Sequence, residues 1–330
     1  MRILILGGTE FLGRHLIENA LSKGHDVTLF NRGQTNPELF AQIEKLRGDR
    51  DGNLEALSGR RWDVAIDTSG YLPRVVRQSA ELLVAAVDHY TFVSSISVYA
   101  DFSKVGMDEN AQAGTLGDEA SEDASMFYGP LKALCEQEVQ SLFGERALVV
   151  RPGLIVGPYD PTDRFTYWVR RFAQGGDVLI PGRQEQPVQF IDARDLAQWM
   201  IAMAEHRKGG GFNATGPNYL LTMADFVATL EASISAGATA VWAPEKFLLE
   251  EGVKEWTELP LWISDRANWP GFLTINVNRA IQHGLTFRPL QETIRDTFQW
   301  DQTRRKDIVL KAGISREKET ELLRKIQDVR

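Results

Sequence analysis

The stretch Met1-Arg-Ile-Leu-Ile-Leu-Gly-Gly-Thr-Glu-Phe-Leu-Gly13 opens the chain and decides its fold. Residues 3–6 are apolar and uncharged, a pattern typical of a strand that is buried on both faces of a parallel sheet. Gly7 and Gly8 end this strand, and from Phe11 onward the apolar residues recur with the period of an α-helix. A strand, a glycine turn and a helix in this order predict a dinucleotide-binding site, because the free N–H groups at the start of the helix attract a pyrophosphate.

The composition limits the class of protein. The chain has 330 residues, of which 43% are hydrophobic and 25% are charged, which suits one large α/β unit with a smaller lobe. Its net charge of −8 argues against a nucleic-acid partner. The single cysteine, Cys135, excludes an intrachain disulfide, and the five histidines show no metal-ligand spacing, so we expect no metal site. Because we find no signal peptide and no apolar run of membrane-spanning length, we expect a cytoplasmic protein without membrane contact.

The second predicted strand, residues 26–30, bears on the choice of cofactor. It ends in Asn31-Arg32-Gly33. An acidic residue at this strand end binds the ribose hydroxyls in NAD sites, whereas an arginine accommodates the additional phosphate in NADP sites. This chain has no carboxylate there, and Arg32 stands where the phosphate would lie. The sequence therefore predicts an NAD(P) site with a modest preference for NADP, the alternative being that Arg32 is only an exposed turn residue.

The alternation of strand and helix continues, with strands predicted at residues 45–51, 62–67 and 90–93 and a helix at 72–86. Asp49 lies at the carboxyl end of the third strand. The small residues Thr68, Ser69 and Gly70 follow the fourth strand, where they would let the backbone pass close to a cofactor. Because the carboxyl ends of parallel strands meet at one crevice, we expect these residues to line a ligand site.

Two later stretches carry acid–base chemistry, Phe92-Val-Ser-Ser-Ile-Ser-Val-Tyr99 and Tyr128-Gly-Pro-Leu-Lys132. Tyr128 and Lys132 are four residues apart and therefore lie on one face of a helix. A phenol is a poor base at neutral pH, but an ammonium group beside it lowers its pKa and makes it a usable proton donor and acceptor. Ser95 is the hydroxyl that we expect to polarise a substrate oxygen, and Ser97 is the alternative.

Together these stretches resemble the extended short-chain dehydrogenase/reductases of the NAD-dependent epimerase/dehydratase family. The residues that carry the resemblance are Gly7-Gly-Thr-Glu-Phe-Leu-Gly13, Gly48-Asp-Arg50, residues 95–99, Tyr128-Gly-Pro-Leu-Lys132, Arg151-Pro-Gly-Leu-Ile-Val-Gly-Pro158 and Phe190-Ile-Asp-Ala-Arg-Asp195. The resemblance implies an α/β fold, with a Rossmann-type, doubly wound parallel sheet and a smaller C-terminal substrate-binding lobe. Residues 1–160 would mainly form the NAD(P)-binding domain and residues 161–330 mainly the lobe, with some segments returning to the first domain.

The resemblance also implies roles for particular residues. Tyr128 would be the catalytic acid/base, Lys132 would lower its pKa and bind the nicotinamide ribose, and Ser95 would take the hydroxyl role. The implied cofactor-binding residues are Gly7, Thr9, Glu10, Phe11, Leu12 and Gly13 at the turn, Asn31 and Arg32 after the second strand, Asp49 and Arg50 at the adenine, Thr68, Ser69 and Gly70 after the fourth strand, Tyr128 and Lys132, and Pro152, Gly153 and Ile155 near the nicotinamide.

The function implied is NAD(P)-dependent chemistry of the epimerase/dehydratase type at an alcohol or carbonyl carbon of a small polyhydroxylated substrate, with a nucleotide sugar as one candidate. A simple NADP-dependent reductase or dehydrogenase is the first alternative. The second alternative is a cofactor-sensing regulator or RNA-binding member of the same fold that has no activity. A homodimer is compatible with all three.

Three departures from the family pattern bear on these expectations. Glu10 takes the place of the usual middle glycine of the turn, and its carboxylate disfavours a pyrophosphate unless the side chain points away. Val188 stands where sugar-nucleotide epimerases carry an arginine that binds a diphosphate, so Arg164 or Arg183 would have to replace it. Residues 103–125, rich in Gly, Asp and Glu, form either a mobile loop over the site or a solvated surface loop.

Overall fold

A parallel sheet of seven strands is the centre of the computed structural model, which describes residues 1–117, 122–234, 236–305 and 307–329. Its strands are β1 Arg2–Leu6, β2 Asp26–Asn31, β3 Glu44–Arg47, β4 Val64–Asp67, β5 His89–Val93, β6 Ala147–Pro152 and β10 Gly210–Ala214. They lie in the order β3-β2-β1-β4-β5-β6-β10. The chain thus starts at the centre of the sheet, with Leu6 opposite Phe30 on one side and Asp67 on the other.

Helices cover both faces of this sheet. The helices of the described residues are α1 Phe11–Ser22, α2 Pro73–Leu83, α3 Tyr128–Phe143, α4 Arg164–Ala173, α5 Ala193–Glu205, α6 Met223–Ser233, α7 Glu245–Glu250, α8 Asn278–Gln282, α9 Leu290–Thr303 and α10 Arg316–Val329. Helices α1 and α5 pack together on one face, and α2 and α3 on the other. Successive side chains of a strand point to opposite faces, so Ile3 and Ile5 pack with α1 and α5 while Leu4 and Leu6 pack with α2 and α3. The predicted doubly wound, Rossmann-type sheet is confirmed.

A smaller lobe is built from the later part of the chain around a second core. Its strands form two parallel pairs, β8 Gly176–Pro181 with β11 Ala238–Ala243, and β7 Leu154–Val156 with β9 Phe190–Asp192. The fully buried rings of Trp168, Phe226 and Trp262 pack together in this core. Helix α5 and strand β10 lie between the lobe segments in sequence, but they belong to the central sheet and its helical layer.

Several predicted bounds differ from the observed ones by a few residues. The third strand is Glu44–Arg47, since the chain turns at Asp49, whose backbone pairs with that of Asn53.

In the loop predicted at 103–125, residues 118–121 lie outside the described part. Earlier in that loop the backbone bonds to the lobe, because Gly106 N donates to the Thr274 carbonyl at 3.0 Å. No helix among the described residues is long and apolar enough to cross a membrane.

Candidate active site

The glycine turn between β1 and α1 is shaped as a cofactor cradle. Gly7 and Gly8 have φ values of +98° and +94°, a region that favours glycine. A Cβ atom at Gly13 would lie 2.5 Å from the Cα of Gly8, so the helix packs directly against the turn. The start of α1 can therefore come close to a bound group, as a pyrophosphate requires. The backbone thus fits a dinucleotide.

A cleft of about 570 Å³ opens above this turn at the carboxyl ends of the strands. Every residue predicted to contact the cofactor lines it except Gly70, and so does Ser95. Gly70 is buried, and a Cβ atom added there would lie 2.5 Å from the Phe92 ring and 2.8 Å from Val76. Other lining residues were not predicted, among them Gly33, Tyr71, Val75, Ser94 and Pro161. Tyr71 could have been predicted, because it directly follows the Thr68-Ser69-Gly70 stretch. No sequence pattern indicated that Pro161 lines the cleft.

At one end of the cleft, two arginines lie close to the end of β2. The Asn31 amide donates to the Gly7 carbonyl at 2.9 Å, and its oxygen accepts from the Arg47 guanidinium. The Arg47 guanidinium lies beside Gly33. Arg32 lines the cleft and is exposed, and it has no carboxylate partner among the described residues. The structure therefore offers two guanidinium groups at this strand end, neither of them in an ion pair with a described carboxylate.

We expected Arg50 at the adenine, but its guanidinium forms its hydrogen bonds mainly beneath the cleft. Its guanidinium forms a fork with the fully buried carboxylate of Asp67, at 2.6 and 2.7 Å, and donates to Ser79 Oγ at 2.7 Å. The hydroxyl of Tyr90 and the backbone N–H of Ser69 also donate to Asp67, at 3.0 Å each. Asp67 thus has four donors, and it fixes the turn that follows β4.

Lys132 lies on the same buried network. Its ammonium donates to the carbonyls of Gly70 and Val93, at 2.7 and 2.6 Å, and lies 4.4 Å from the centre of the Phe92 ring. Burial lowers its pKa to about 8, although the negative charge of Asp67 acts in the opposite direction. An ammonium has three N–H donors, so one remains for a ligand in the cleft.

Tyr128 opens α3 and reaches the cleft beside Ser95. A hydrogen bond with Ser95 acts to lower the pKa of the phenol, but burial, followed by the nearby Tyr71, raises it overall. Lys132 was expected to lower this pKa, and the structure differs because its ammonium is directed to the two carbonyls. Ser97 does not line the cleft, and its hydroxyl accepts from Ser95 at 3.1 Å. The structure therefore brings Ser95, Tyr128 and Lys132 to one place.

Tyr71 adds a second phenol at this point. Half of its surface is exposed, its ring centre is 6.5 Å from that of Tyr128, and it is 5.4 Å from the Lys132 nitrogen. The negative charge of Glu10 contributes to raising the pKa of Tyr71, after the larger effect of burial. Glu10 itself is exposed at the residue before α1, and its side chain accepts no capping hydrogen bond.

The three residues considered for the diphosphate clamp, Val188, Arg183 and Arg164, do not line the cleft. Val188 is buried in the core of the lobe, where its side chain cannot take the part of a clamp. Arg183 is exposed and pairs with Asp265 at 2.9 Å. Arg164 is half-buried and lies over the Trp256 ring at 5.8 Å.

Possible metal ligands and the single thiol are the remaining reactive groups. Among the described residues, no group of three or more His, Cys, Asp or Glu side chains could hold an ion. The buried thiol of Cys135 has its pKa raised to about 12 by burial, so it is not a reactive thiolate at neutral pH.

Comparison with known proteins agrees with this geometry. The Arabidopsis thaliana protein named chloroplast stem-loop binding protein of 41 kDa b, chloroplastic, is 27% identical over 274 residues, covering 77% of this chain and 67% of the relative. Because this relative is named as chloroplastic, the cytoplasmic location of the present chain stays a prediction. The solved UDP-N-acetylglucosamine 4-epimerase from Bacillus cereus matches with a TM-score of 0.69 at 14% identity, over 94% of this chain and 99% of that one. Human epimerase family protein SDR39U1 with NADPH matches with a TM-score of 0.62 at 19% identity, over 91% and 99%.

These fold matches are joined by a match in sequence to a family model. The model for the NAD dependent epimerase/dehydratase family matches residues 3–215. This segment contains the glycine turn, Ser95, Tyr128 and Lys132. The chain belongs to the NAD-dependent epimerase/dehydratase family.

Proposed function

We propose that the protein is an NADP-preferring oxidoreductase of the epimerase/dehydratase type, acting at an alcohol or carbonyl carbon of a small polyhydroxylated substrate. The observation that carries the proposal is the convergence of Ser95, Tyr128 and Lys132 on the cleft that the glycine turn also lines. A vestigial site would not need these three groups together with a cofactor cradle.

Residues on both sides of the cleft would hold the cofactor. The turn of Gly7, Gly8 and Gly13 would face the pyrophosphate, and Asp49 the adenosine. Arg32, with Arg47 beside Gly33, would bind the 2′-phosphate of NADP, since neither guanidinium is paired with a carboxylate in the part of the chain that the structure describes. The bound nicotinamide would accept or donate a hydride.

The chain's own residues would handle the proton. Because burial raises the pKa of Tyr128, the phenol is neutral at neutral pH and ready to donate its proton. Ser95 contacts the same phenol and would hold the substrate oxygen in line with it. The third N–H of Lys132 would bind the ribose, while its two carbonyl bonds fix its position.

A simple NADP-dependent reductase is the second candidate, and the pair of Arg32 and Arg47 favours it. Enzymes that return the hydride within one turnover do not need the NADP pool, whereas a reductase draws on it. The name of the Arabidopsis relative supports the RNA-binding alternative. The net charge of −8 and the complete acid–base group weigh against it.

A panel of nucleotide sugars, free sugars and simple ketones, followed by nicotinamide absorbance and product analysis, tests the proposal. We expect turnover of at least one polyhydroxylated compound by the parent protein. Tyr128→Phe should lower it by about 10²- to 10⁴-fold with cofactor affinity nearly unchanged, since one hydroxyl is lost. Tyr219→Phe, a change at an exposed tyrosine outside the cleft, is the matched control.

Each outcome of this panel has a distinct meaning. Product formation without net absorbance change selects the epimerase type, and stoichiometric absorbance change selects the reductase. A Tyr128→Phe variant as active as the parent contradicts the mechanism. RNA binding by a protein that binds no nicotinamide cofactor would support the RNA-binding alternative instead.

A further inference from the structure

Arg164 differs from the other buried and half-buried arginines in its lack of a described carboxylate partner. In the described part of the chain, eight other arginines are buried or half-buried, and each has a carboxylate within ion-pair distance. They are Arg14, Arg50, Arg151, Arg170, Arg171, Arg194, Arg288 and Arg304. Arg164 has no such partner among the described residues, although burial is unfavourable enough to lower its pKa. A half-buried guanidinium without an anionic partner loses hydration free energy, and a bound anionic ligand would offset that loss.

A second, independent observation lies four residues earlier. Asp160 is 1% exposed, and one of its carboxylate oxygens accepts from the Thr162 N–H at 2.8 Å. The other oxygen, Oδ2, is buried and has no hydrogen-bond partner. The neighbouring buried Asp163 differs, because Arg304 and the Lys311 N–H bind its two oxygens at 2.7 and 3.0 Å.

Asp160 and Arg164 do not line the cleft themselves, but they lie on a segment that borders it. Ile155 and Pro161, on the segment that leads to Arg164, both line the cleft. Asp160 and Arg164 feel each other's charge but are not in ion-pair contact, so an acceptor and a donor are left unpaired near each other. Trp256, half-buried under the guanidinium, limits the directions in which Arg164 can point.

We infer that Arg164, with Asp160 and Trp256, forms a subsite for an anionic group on a hydroxylated substrate. The guanidinium would bind a carboxylate or phosphate through paired N–H bonds, and a ligand hydroxyl would donate to Asp160 Oδ2. The inference rests on the proposed function, since it names the chemistry of that substrate. It also replaces the missing clamp, because Val188 is buried and Arg183 is already paired.

Calorimetric titration of the full chain, with and without NADPH, tests the inference. The probes are glucuronate and glucose 6-phosphate, which carry charge and hydroxyls. Glucose lacks the charge, and cyclohexanecarboxylate lacks the hydroxyls. We expect saturable binding of at least one charged sugar, at least tenfold tighter than glucose or cyclohexanecarboxylate, and the two charged arms distinguish a carboxylate from a phosphate site. Arg164→Gln should weaken that binding about 10- to 100-fold, and Arg164→Lys less.

Arg183→Gln is the matched control and should bind the charged sugars as the parent does. Equal affinity in Arg164→Gln, equal binding of glucose, or no binding of either charged sugar up to millimolar concentration would overturn the inference. Failure of the parent protein to bind NADPH would contradict the proposed function instead. Arg164 makes no side-chain ion pair or hydrogen bond with the described residues, so its replacement should leave the melting temperature nearly unchanged. That measurement separates a binding defect from unfolding.

Discussion

Two ion pairs in this protein are alike in burial but differ in the parts of the fold that they connect. Arg50–Asp67 lies under the cleft, and Arg171–Glu319 lies in the core of the lobe. In both pairs the carboxylate is fully buried and the arginine nearly so. Around Asp67, however, the Ser69 N–H that also donates belongs to the turn whose Gly70 carbonyl accepts from Lys132. Glu319 instead accepts from the Leu179 N–H of β8 and joins α10 to α4. The same pairing therefore serves the active site in one region and the scaffold in the other.

The largest expected effect separates the two pairs directly. Asp67→Asn and Glu319→Gln each leave an arginine buried without its charge partner, so each should lower the free energy of unfolding by about 3–5 kcal/mol. Urea denaturation measures this. Only Asp67→Asn should also weaken NADPH binding, because it loosens the turn that carries the Gly70 carbonyl. Equal weakening by Glu319→Gln would show that the two regions do not differ in this way.

A smaller effect is expected at the cofactor end of the cleft. Arg32→Ala should lower NADPH affinity by about 10- to 100-fold, the range for one charge-assisted contact, and leave NADH affinity nearly unchanged. Arg60→Ala, at an exposed arginine paired with Glu44 outside the cleft, is the control. Equal losses for both cofactors would contradict the assignment of Arg32 to the 2′-phosphate.

The smallest effect is a pH dependence that comes from Lys132. Burial, assisted by the positive charge of Arg50, lowers its pKa to about 8 in the free protein, against the opposing effects of Asp67, Cys135 and Glu136. If the ammonium binds the ribose, affinity should be flat below pH 8 and fall by at most about tenfold per pH unit above it. Lys132→Met should bind more weakly and lose this slope. A parent protein without the slope would show that Lys132 does not bind the cofactor.

The sequence predicted the features that depend on local order along the chain. The turn from Gly7 to Gly13 and the four-residue spacing of Tyr128 and Lys132 could be interpreted because each is encoded within one strand–helix junction or one helical turn. The position of Ser95 could be predicted for the same reason, since it lies two residues after the end of β5.

Other features depend on residues that meet only in the folded chain. Nothing near Lys132 in sequence indicates that its ammonium binds the carbonyls of Gly70 and Val93. The burial of Val188 is decided by the packing of the lobe. The lack of a described partner at Arg164 is visible only in the fold, where the other buried and half-buried arginines form ion pairs. Arg171, for example, pairs with Glu319, which is 148 residues away in sequence.

Calorimetric titration of the unmodified protein with NADPH and NADH tests the central claim most directly, that the cleft is a nicotinamide cofactor site. We predict one NADPH bound per chain, more tightly than NADH, with both signals reduced in Gly13→Val, where the added side chain would collide with Gly8. Binding of neither cofactor, or binding that Gly13→Val leaves unchanged, would contradict the account.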